Sequence, residues 1–527
     1  MREKSCDVLI VGGGTGGCAA AMAVCSMGLS AVMTEETDWV GGQLTAQAVP
    51  PDESPWIEQF GCTRRYRAYR EGVRQFYREH TPLLPPYRQD PRLNPGGGFV
   101  SRICHEPRIG WLVLNAMLHE PISRGLLDLR LRTVPLAADA QGDEVRSVLI
   151  GNLDTGDQLL VHARYVIDAS EMGDLLPMTG TEHVVGAESR RETGEPNATD
   201  EANPGDVQGI TWCFAMAHDA GSDRTIDKPE GYDRWRAFQP EFWPGPLLGL
   251  KDVAPQTLEP RQHRLLEGEW SLFRYRQIVD PEKYGDGRHP VTIVNWPMND
   301  YFAETITDVD PLRNPGVRST TPYADGPVSA ARIQEAKQLS RCVLYWLQTE
   351  EGYPGLYMRP DVVGTEDGLA KAAYIRESRR IKARFTVLEQ HVAAYTNPGR
   401  DRAEEFADSV GVGAYRIDLH PSTSGRNYVD TSSLPFQIPL GSLIPVRVRN
   451  LLPGCKNLGV THITNGCYRL HPVEWNVGES AGLLAASCVA SGLEPAEVWE
   501  SEPRTREFQE LVRKQGVETE WPRLHAL

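Results

Sequence analysis

The sequence lacks the cysteine patterns of disulfide frameworks and metal centres. Its ten cysteines are scattered, with no CxxC pair and no cysteine–histidine spacing typical of a zinc site. We therefore expect reduced thiols, no bound metal and a cytoplasmic protein. The apolar start of the chain superficially resembles a secretory signal, but Asp7 and several glycines interrupt it. Beyond it, no run approaches the roughly 18 apolar residues of a membrane span, so we expect no membrane partner.

Positive charge is also scarce. The chain has 55 Lys and Arg against 71 Asp and Glu, a formal net charge of −16. Nucleic acid and anionic membrane surfaces would repel such a protein at long range, so neither is expected as the main partner. The 40% of hydrophobic residues is ordinary for a globular protein, and 527 residues suffice for a large core.

A glycine-rich turn stands close to the N-terminus. The apolar run Cys6–Val11 has the length of a strand, and it leads into a GxGxxG turn and then an alanine-rich helix. In such a turn Gly12 permits the bend, Gly14 lets the backbone approach a pyrophosphate, and Gly17 lets helix and strand pack closely. The phosphates would lie on the helix N-terminus at Thr15. The pattern predicts a dinucleotide site.

Acidic residues follow where such a site needs them. Glu35 closes the second predicted strand, about 20 residues beyond the turn, where a carboxylate binds the ribose 2′-OH. A 2′-phosphate is disfavoured there, so NADP is not expected. We assign the adjacent Glu36 to the same site. NAD and FAD both fit this part of the sequence.

A second glycine pair favours FAD. The segment Trp39–Gln43 resembles the second glycine loop of two-dinucleotide-domain flavoproteins, which lies near the phosphates and the flavin of FAD. On this resemblance Gly41, Gly42 and Gln43 are predicted to contact the cofactor.

Short alternating strands then predict a small β-meander, at 127–133, 145–153 and 158–161. A buried strand over 163–170 follows. In FAD proteins of this class such a strand ends against the cofactor in Ala-Thr-Gly or a similar triplet. Here Ala169 and Ser170 are followed by Glu171 in place of glycine. We expect Ala169 and Ser170 to contact the cofactor.

Taken with the C-terminal segment 438–493, the chain resembles the FAD-dependent oxidoreductase family related to the succinate dehydrogenase and fumarate reductase flavoproteins. The resemblance covers 8–42, 166–180 and 438–493, with further motifs at 376–380 and 415–420. It implies an α/β fold, with a Rossmann-like FAD-binding domain of the glutathione-reductase type, a β-meander and an inserted mixed α+β substrate or cap domain.

The expected domain division follows from the loss of strand and helix rhythm after residue 180. Residues 1–180 and 430–500 would form a discontinuous FAD-binding domain, 181–429 the inserted domain, and 501–527 a C-terminal tail. The resemblance further implies a helix that begins at the glycine-containing stretch 478–482 and points its N-terminus at the flavin. The cofactor contacts implied in this half are Gly454, Gly478, Glu479, Ala481 and Gly482.

Histidines and arginines are the candidate catalytic residues. His462 and His471 bracket a loop that the resemblance places beside the flavin ring, and Arg469 within it is suited to hold a carboxylate or an oxyanion. Bracing of the loop or of FAD is an equally open interpretation.

Two further candidates lie in the inserted part. Arg376 is expected to share one helix face with Arg379 and Arg380, as an anion clamp or in ion pairs. In a strand, Asp418 and His420 would point to the same side, as a base with its orienting carboxylate.

These features favour an FAD-dependent dehydrogenase or oxidase that transfers hydride from a small polar organic substrate to flavin N5, with oxygen or another compound as electron acceptor. A disulfide reductase would need a cysteine pair after the first glycine loop. The sequence also has no second GxGxxG for NADPH. The alternative is a non-redox flavoprotein, an isomerase or lyase, that uses FAD structurally or as a transient electron sink. A homo-oligomer is compatible with the sequence.

Overall fold

The computed structural model describes residues 2–307 and 327–522. Residues 308–326 of the predicted inserted domain and 523–527 of the predicted tail lie outside the described residues. The division into 1–180 with 430–500, 181–429 and 501–527 stays a prediction.

The strands are, in chain order, β1 (Arg2–Val11), β2 (Ala31–Glu35), β3 (Leu127–Leu131), β4 (Thr133–Gln141), β5 (Glu144–Asn152), β6 (Gln158–Asp168), β7 (His183–Val184), β8 (Ile210–Thr211), β9 (Phe214–His218), β10 (Lys251–Val253), β11 (Pro260–Gln262), β12 (Gln277–Val279), β13 (Val291–Val294), β14 (Asp300–Tyr301), β15 (Leu356–Met358), β16 (Arg380–Ile381), β17 (Ser409–Gly413), β18 (Ile417–Leu419), β19 (Val429–Thr431), β20 (Phe436–Pro439) and β21 (Leu451–Pro453).

The α-helices are α1 (Thr15–Ser26), α2 (Arg64–His80), α3 (Pro85–Arg88), α4 (Pro107–Ser123), α5 (Leu175–Thr179), α6 (Arg190–Thr193), α7 (Tyr232–Ala237), α8 (Leu272–Tyr275), α9 (Pro327–Thr349), α10 (Pro360–Val363), α11 (Glu389–Val392), α12 (His462–Tyr468), α13 (His471–Ser491), α14 (Pro495–Trp499) and α15 (Glu502–Lys514). Short 3₁₀ helices cover Gly42–Leu44, Pro281–Lys283, Pro297–Asn299 and Leu440–Leu443.

A seven-stranded sheet forms the core, in the order β3-β2-β1-β6-β5-β4 with β21 paired to β6. Strands β1, β2, β3, β6 and β21 are parallel. Residues Val8–Val11 are fully buried, as expected for a parallel strand covered on both faces. This is the predicted α/β, Rossmann-like architecture.

The β-meander differs from the prediction in its strands. Antiparallel β4, β5 and β6 form it, whereas β3 is the parallel edge partner of β2. The two predicted strands at 158–161 and 163–170 are one continuous strand, β6. No glycine or proline interrupts it between Gln158 and Asp168.

The predicted helix start at 478–482 is wrong. Helix α13 begins at His471, with Pro472 in its first turn, so Gly478 and Gly482 lie in its interior. A Cβ atom at Gly478 would overlap the carbonyl oxygen of Gly16 on α1. These glycines therefore permit two helices to cross closely, and do not start a helix.

The inserted part is mixed α and β. Strands β12, β13, β9 and β15 form a four-stranded antiparallel sheet, and β8 pairs with β14. The helix predicted to carry Arg376, Arg379 and Arg380 is absent, because this segment is extended and ends in β16. Their side chains consequently point to different partners.

All ten cysteines are free thiols, and only Cys6 is partly exposed. Among the described residues, no helix combines the length and the apolar character that crossing a membrane requires.

Candidate functional site

The first glycine loop is sterically restricted to glycine. Gly12 has a φ of 102°, and a Cβ atom there would overlap the backbone of Ala169 at the end of β6. A Cβ at Gly17 would overlap the carbonyl oxygen of Gly12. The loop thus lies flat against the sheet and leaves the N-terminus of α1 accessible to a phosphate.

Glu35 lies beside this loop, as the sequence predicts. Its Oε2 accepts a hydrogen bond from the Gly13 N–H at 3.1 Å, and its Oε1 accepts from the N–H and the hydroxyl of Thr37, both at 2.8 Å. Burial raises the pKa of Glu35 to about 8, which the Thr37 hydrogen bonds partly oppose. The carboxyl is therefore fixed at the edge of the sheet where a ribose hydroxyl would bind.

A cleft joins six of the predicted cofactor residues. It combines the first glycine loop, the ends of β2 and β6, and the start of β4. Its lining includes Gly12, Gly14, Glu35, Glu36, Ala169, Ser170 and Glu171.

The second glycine loop is hydrogen-bonded to the first. The Gly41 N–H donates to the carbonyl of Gly13 at 2.8 Å, and the Thr15 hydroxyl donates to the carbonyl of Gly41 at 2.9 Å. Gly41 and Gly42 both have positive φ, which a non-glycine residue rarely adopts. Together the two loops build one continuous backbone surface.

Buried polar atoms beyond Gly42 lack partners within the described part of the chain. They are Oε1 of Gln43 and both amide atoms of Gln47. Leaving such atoms unpaired costs about 1–3 kcal/mol each. The carbonyl and N–H groups of a flavin ring would satisfy these atoms, so the residues present fit FAD. Gln43 also connects this loop to α13, because its Nε2 donates to the Arg469 carbonyl at 3.0 Å and to Glu474.

A buried ion pair lies between the glycine loops. Glu171 approaches Gly14 and Gly42, since its Oε1 would be 3.0 and 2.8 Å from Cβ atoms placed there. Its carboxylate pairs with Lys456, whose Nζ is 3.8 Å from Glu474. Burial opposes the charge on Lys456, but the two carboxylates raise its pKa above the usual value. The departure of Ala169–Glu171 from the family triplet was the sequence signal for this pair, whereas Lys456 was not predicted.

A second cavity, of about 410 Å³, is lined mainly by the inserted part. Three predicted catalytic residues line it: Arg376, His420 and Arg469. Asp52 lies in its wall and follows the second glycine loop along the chain. One residue of its wall, Arg469, is linked to the second glycine loop, because its carbonyl accepts a hydrogen bond from Gln43.

His420 is the predicted histidine that lines this cavity. Its Nδ1 is 2.6 Å from Oδ2 of Asp300, and its Nε2 is 3.7 Å from Oδ2 of Asp418. Burial and the neighbouring Arg376 lower the pKa of His420, which favours the neutral imidazole. Asp300 itself was not predicted, because no motif marks it.

A family model described as FAD dependent oxidoreductase matches residues 7–512. The chain belongs to the FAD-dependent oxidoreductase family. FAD is accordingly its cofactor, and the protein is an oxidoreductase. A search of curated proteins found no match.

Solved flavoprotein structures are similar at low identity. A geranylgeranyl bacteriochlorophyll reductase-like protein from Thermoplasma acidophilum is 12% identical, with a TM-score of 0.32, over 98% of this chain and 84% of that one. L-proline dehydrogenase from P. horikoshii is 15% identical, with a TM-score of 0.18, over 35% of this chain. An open flavocytochrome c3 fumarate reductase is 16% identical, with a TM-score of 0.21, over 32% of this chain. The chain spans 24% of that proline dehydrogenase and 34% of that fumarate reductase.

In this FAD-dependent oxidoreductase, His462 and His471 are not among the residues that line the second cavity. The predicted loop between them is helix α12. His462 is buried, with Nδ1 at 2.9 Å from Oε1 of Glu377. His471 accepts a hydrogen bond from the Asp52 N–H at 3.0 Å through Nδ1, and burial lowers its pKa to about 3. A bracing role agrees with these contacts better than proton transfer.

The remaining predicted contacts of the oxidoreductase are helix and strand packing positions. The Gly454 N–H donates to the Asp168 carbonyl at 2.7 Å, which continues β21 alongside β6. On α13, Glu479 pairs with Arg65 and accepts from the Trp475 indole at 3.1 Å. Neither cleft described above is lined by Gly454, Gly478, Glu479, Ala481 or Gly482.

Proposed function

We propose that this protein is an FAD-dependent dehydrogenase or oxidase, in which hydride passes from a small polar organic substrate to flavin N5. The observation that carries the proposal is the His420–Asp300 pair at a cavity whose lining residue Arg469 is hydrogen-bonded to Gln43 of the second glycine loop. Flavin supplies the two-electron acceptor for such a reaction. Oxygen or another compound then takes the electrons.

His420 is the proposed general base. Asp300 accepts the hydrogen bond from Nδ1, which leaves Nε2 to take a proton from the substrate hydroxyl or amine. The lowered pKa keeps the ring neutral near pH 7, so Nε2 has a free lone pair there. Asp300 is the positioning residue, because it fixes the tautomer and orientation of the imidazole.

Arg376 stabilises the His420–Asp300 pair through its contacts with Asp300. Its Nη2 donates to Oδ1 of Asp300 at 3.0 Å and to the Asn295 side chain at 3.2 Å. The guanidinium therefore keeps Asp300 ionised and prevents it from rotating away from His420.

The test is anaerobic stopped-flow reduction of the bound flavin by a panel of alcohols, amines, amino acids and sugars. We expect one class to bleach the flavin, and His420→Gln to slow bleaching about 10²- to 10⁴-fold while FAD content is unchanged. The matched control is His263→Gln, because His263 lines the same cavity and pairs with Asp252 at 2.8 Å. A flavin that stays oxidised with every compound favours the isomerase or lyase alternative.

A further inference from the structure

The substrate cavity presents buried hydrogen-bond donors that have no partner within the described residues. They are Nε of Arg276, Arg376 and Arg469, and the amide Nδ2 of Asn295. Arg376 and Arg469 are almost completely buried, at 1% and 2% exposure. Unpaired buried donors are costly, so their occurrence in four residues that line one cavity favours a ligand rich in acceptor oxygens.

Arg276 is the lining arginine without a salt bridge to a carboxylate of the described residues, although the carboxyl of Asp52 in the same wall attracts its charge. Its Nη1 donates to the Asn295 carbonyl at 2.8 Å. The other four are paired: Arg376 with Asp300, Arg469 with Asp418, Arg261 with Asp252, and Arg416 with Asp430. A buried positive charge without a salt bridge favours an anionic ligand.

The cavity wall also contains hydrogen-bond acceptors, which limit the kinds of anion that can bind there. Asp52 lies in the wall, and its buried Oδ1 has no partner among the described residues. Asp418 and Asp430 line the same space. Asp418 and Asp430 are each paired with an arginine, so one guanidinium, that of Arg276, is left for the ligand, and its fork matches a singly charged, planar carboxylate better than a phosphate dianion. The unpaired oxygen of Asp52 needs a hydroxyl or amino group on the same ligand.

We propose that the substrate is a hydroxy or amino carboxylic acid, held by its carboxylate at Arg276 and by its hydroxyl or amino group near Asp52. This inference rests on the proposed function and names its substrate class. The C–H bond breaks, and hydride leaves with both electrons for the flavin. The O–H or N–H proton passes to Nε2 of His420, and the C–O or C–N bond becomes double. The product is a keto or imino acid, and one flavin is reduced per substrate oxidised.

Binding can be measured separately from turnover with acids whose hydroxyl or amino carbon carries no hydrogen. The probes are hydroxyisobutyrate, aminoisobutyrate and the aromatic atrolactate, each beside its neutral amide, titrated calorimetrically into the FAD-loaded protein. We expect at least one acid to bind and its amide not to bind. Arg276→Gln should weaken that binding about 10- to 100-fold, the loss expected for charge-assisted hydrogen bonds. Arg276→Lys, which keeps the charge but loses the fork, should be intermediate.

The matched control is Arg416→Gln, because that arginine lines the cavity but is neutralised by Asp430 and is 43% exposed. It should change the affinity less than about 3-fold. FAD content and thermal midpoint establish that each variant is folded. Failure of every acid to bind, equal binding of acid and amide, or unchanged affinity in Arg276→Gln overturns the inference.

The two proposals fail in different ways. Lactate and alanine are oxidisable relatives of the first two probes, and atrolactate corresponds to the oxidisable mandelate. One outcome is that the acids bind through Arg276 but their oxidisable relatives never bleach the flavin. This would support the carboxylate site and refute hydride transfer. The other outcome is that only neutral alcohols or amines bleach the flavin and no acid binds. This would support hydride transfer and refute the carboxylate site.

Discussion

Nδ1 of His420 lies 2.6 Å from Oδ2 of Asp300, although 120 residues separate the two in the chain. Asp300 also accepts hydrogen bonds from Arg376 and the hydroxyl of Thr211. Burial opposes ionisation of this carboxyl, but Arg376 and His420 outweigh it and lower the pKa of Asp300. An ionised Asp300 keeps the proton of His420 on Nδ1, which directs the lone pair of Nε2 toward substrate.

Asp300→Asn should therefore change the pH dependence of flavin reduction. Burial and Arg376 lower the pKa of His420, whereas Asp300 and Asp418 raise it, so the pKa should fall further when the charge of Asp300 is removed. The rate constant rises with pH as the base becomes neutral, and this rise should move to lower pH. The plateau should drop about 10-fold or more, because the amide does not fix the tautomer. Stopped-flow pH profiles measure both changes.

The control for this profile is Asp252→Asn, which removes the partner of His263 in the same cavity. In Asp252→Asn, the rate constant of flavin reduction should rise over the same pH range as in the unsubstituted protein. An unchanged rise in Asp300→Asn, or an equal shift in both variants, would contradict the role of Asp300.

The cleft at the first glycine loop could be predicted from sequence because several of its residues are close together in the chain. Gly12, Gly14 and Glu35 fall within a short stretch of strand, turn, helix and strand, so their spacing carries the geometry. The proposed substrate site is assembled from distant segments: Asp52, Arg276 and Asp300 carry no motif, and only the tertiary fold brings them together.

The incorrect prediction of a helix start at 478–482 also arose because sequence spacing does not report tertiary contacts. Glycine near a helix N-terminus and glycine at a close helix crossing look alike in sequence. Gly478 is the second kind, and only the position of α1 against α13 distinguishes them.

Gly12→Ala should abolish FAD binding and destabilise the fold. The positive φ costs an L-residue about 1 kcal/mol, and the overlap with the Ala169 backbone adds about 1–3 kcal/mol. Gly28→Ala is the matched control, because Gly28 has a φ of 80° but nothing within 4 Å of its Cβ position. The control should lose about 1 kcal/mol and keep FAD. FAD content and thermal midpoint are the measurements, and similar losses in both variants would argue against the close approach.

Gly478→Ala tests the helix crossing. The added methyl would overlap the Gly16 carbonyl, a backbone atom that can move only if α1 moves, so we expect a loss of about 2–3 kcal/mol or more. Gly72→Ala is the control within α2, where the neighbour is the Cγ1 of Val113, a side-chain atom that can rotate away. Helix propensity favours alanine by about 1 kcal/mol, so this control should be nearly neutral. Denaturant unfolding distinguishes the two, and a stable Gly478→Ala would refute the crossing.

The pair of His462 and Glu377 should make stability depend on pH with a defined sign. Both side chains are buried. Burial opposes ionisation of each, but the mutual attraction lowers the pKa of Glu377 to about 2 and raises the pKa of His462 above 6.5. A histidine with a raised folded pKa contributes stability that is complete below its unfolded pKa and is lost as pH rises through the folded pKa. The carboxylate contribution is lost only as pH falls toward 2.

His462→Gln should consequently destabilise the protein most at mildly acidic pH. Near pH 6 both partners are charged, and removal of one member of a buried pair costs about 3–5 kcal/mol. At a pH above the raised folded pKa of His462, the neutral imidazole contributes only its hydrogen bond, so the loss should shrink to about 1 kcal/mol. Unfolding in denaturant at the two pH values measures the difference, with His119→Gln on the exposed end of α4 as the control. Equal losses at both pH values would mean that His462 is neutral in the folded protein and braces α12 by hydrogen bonding alone.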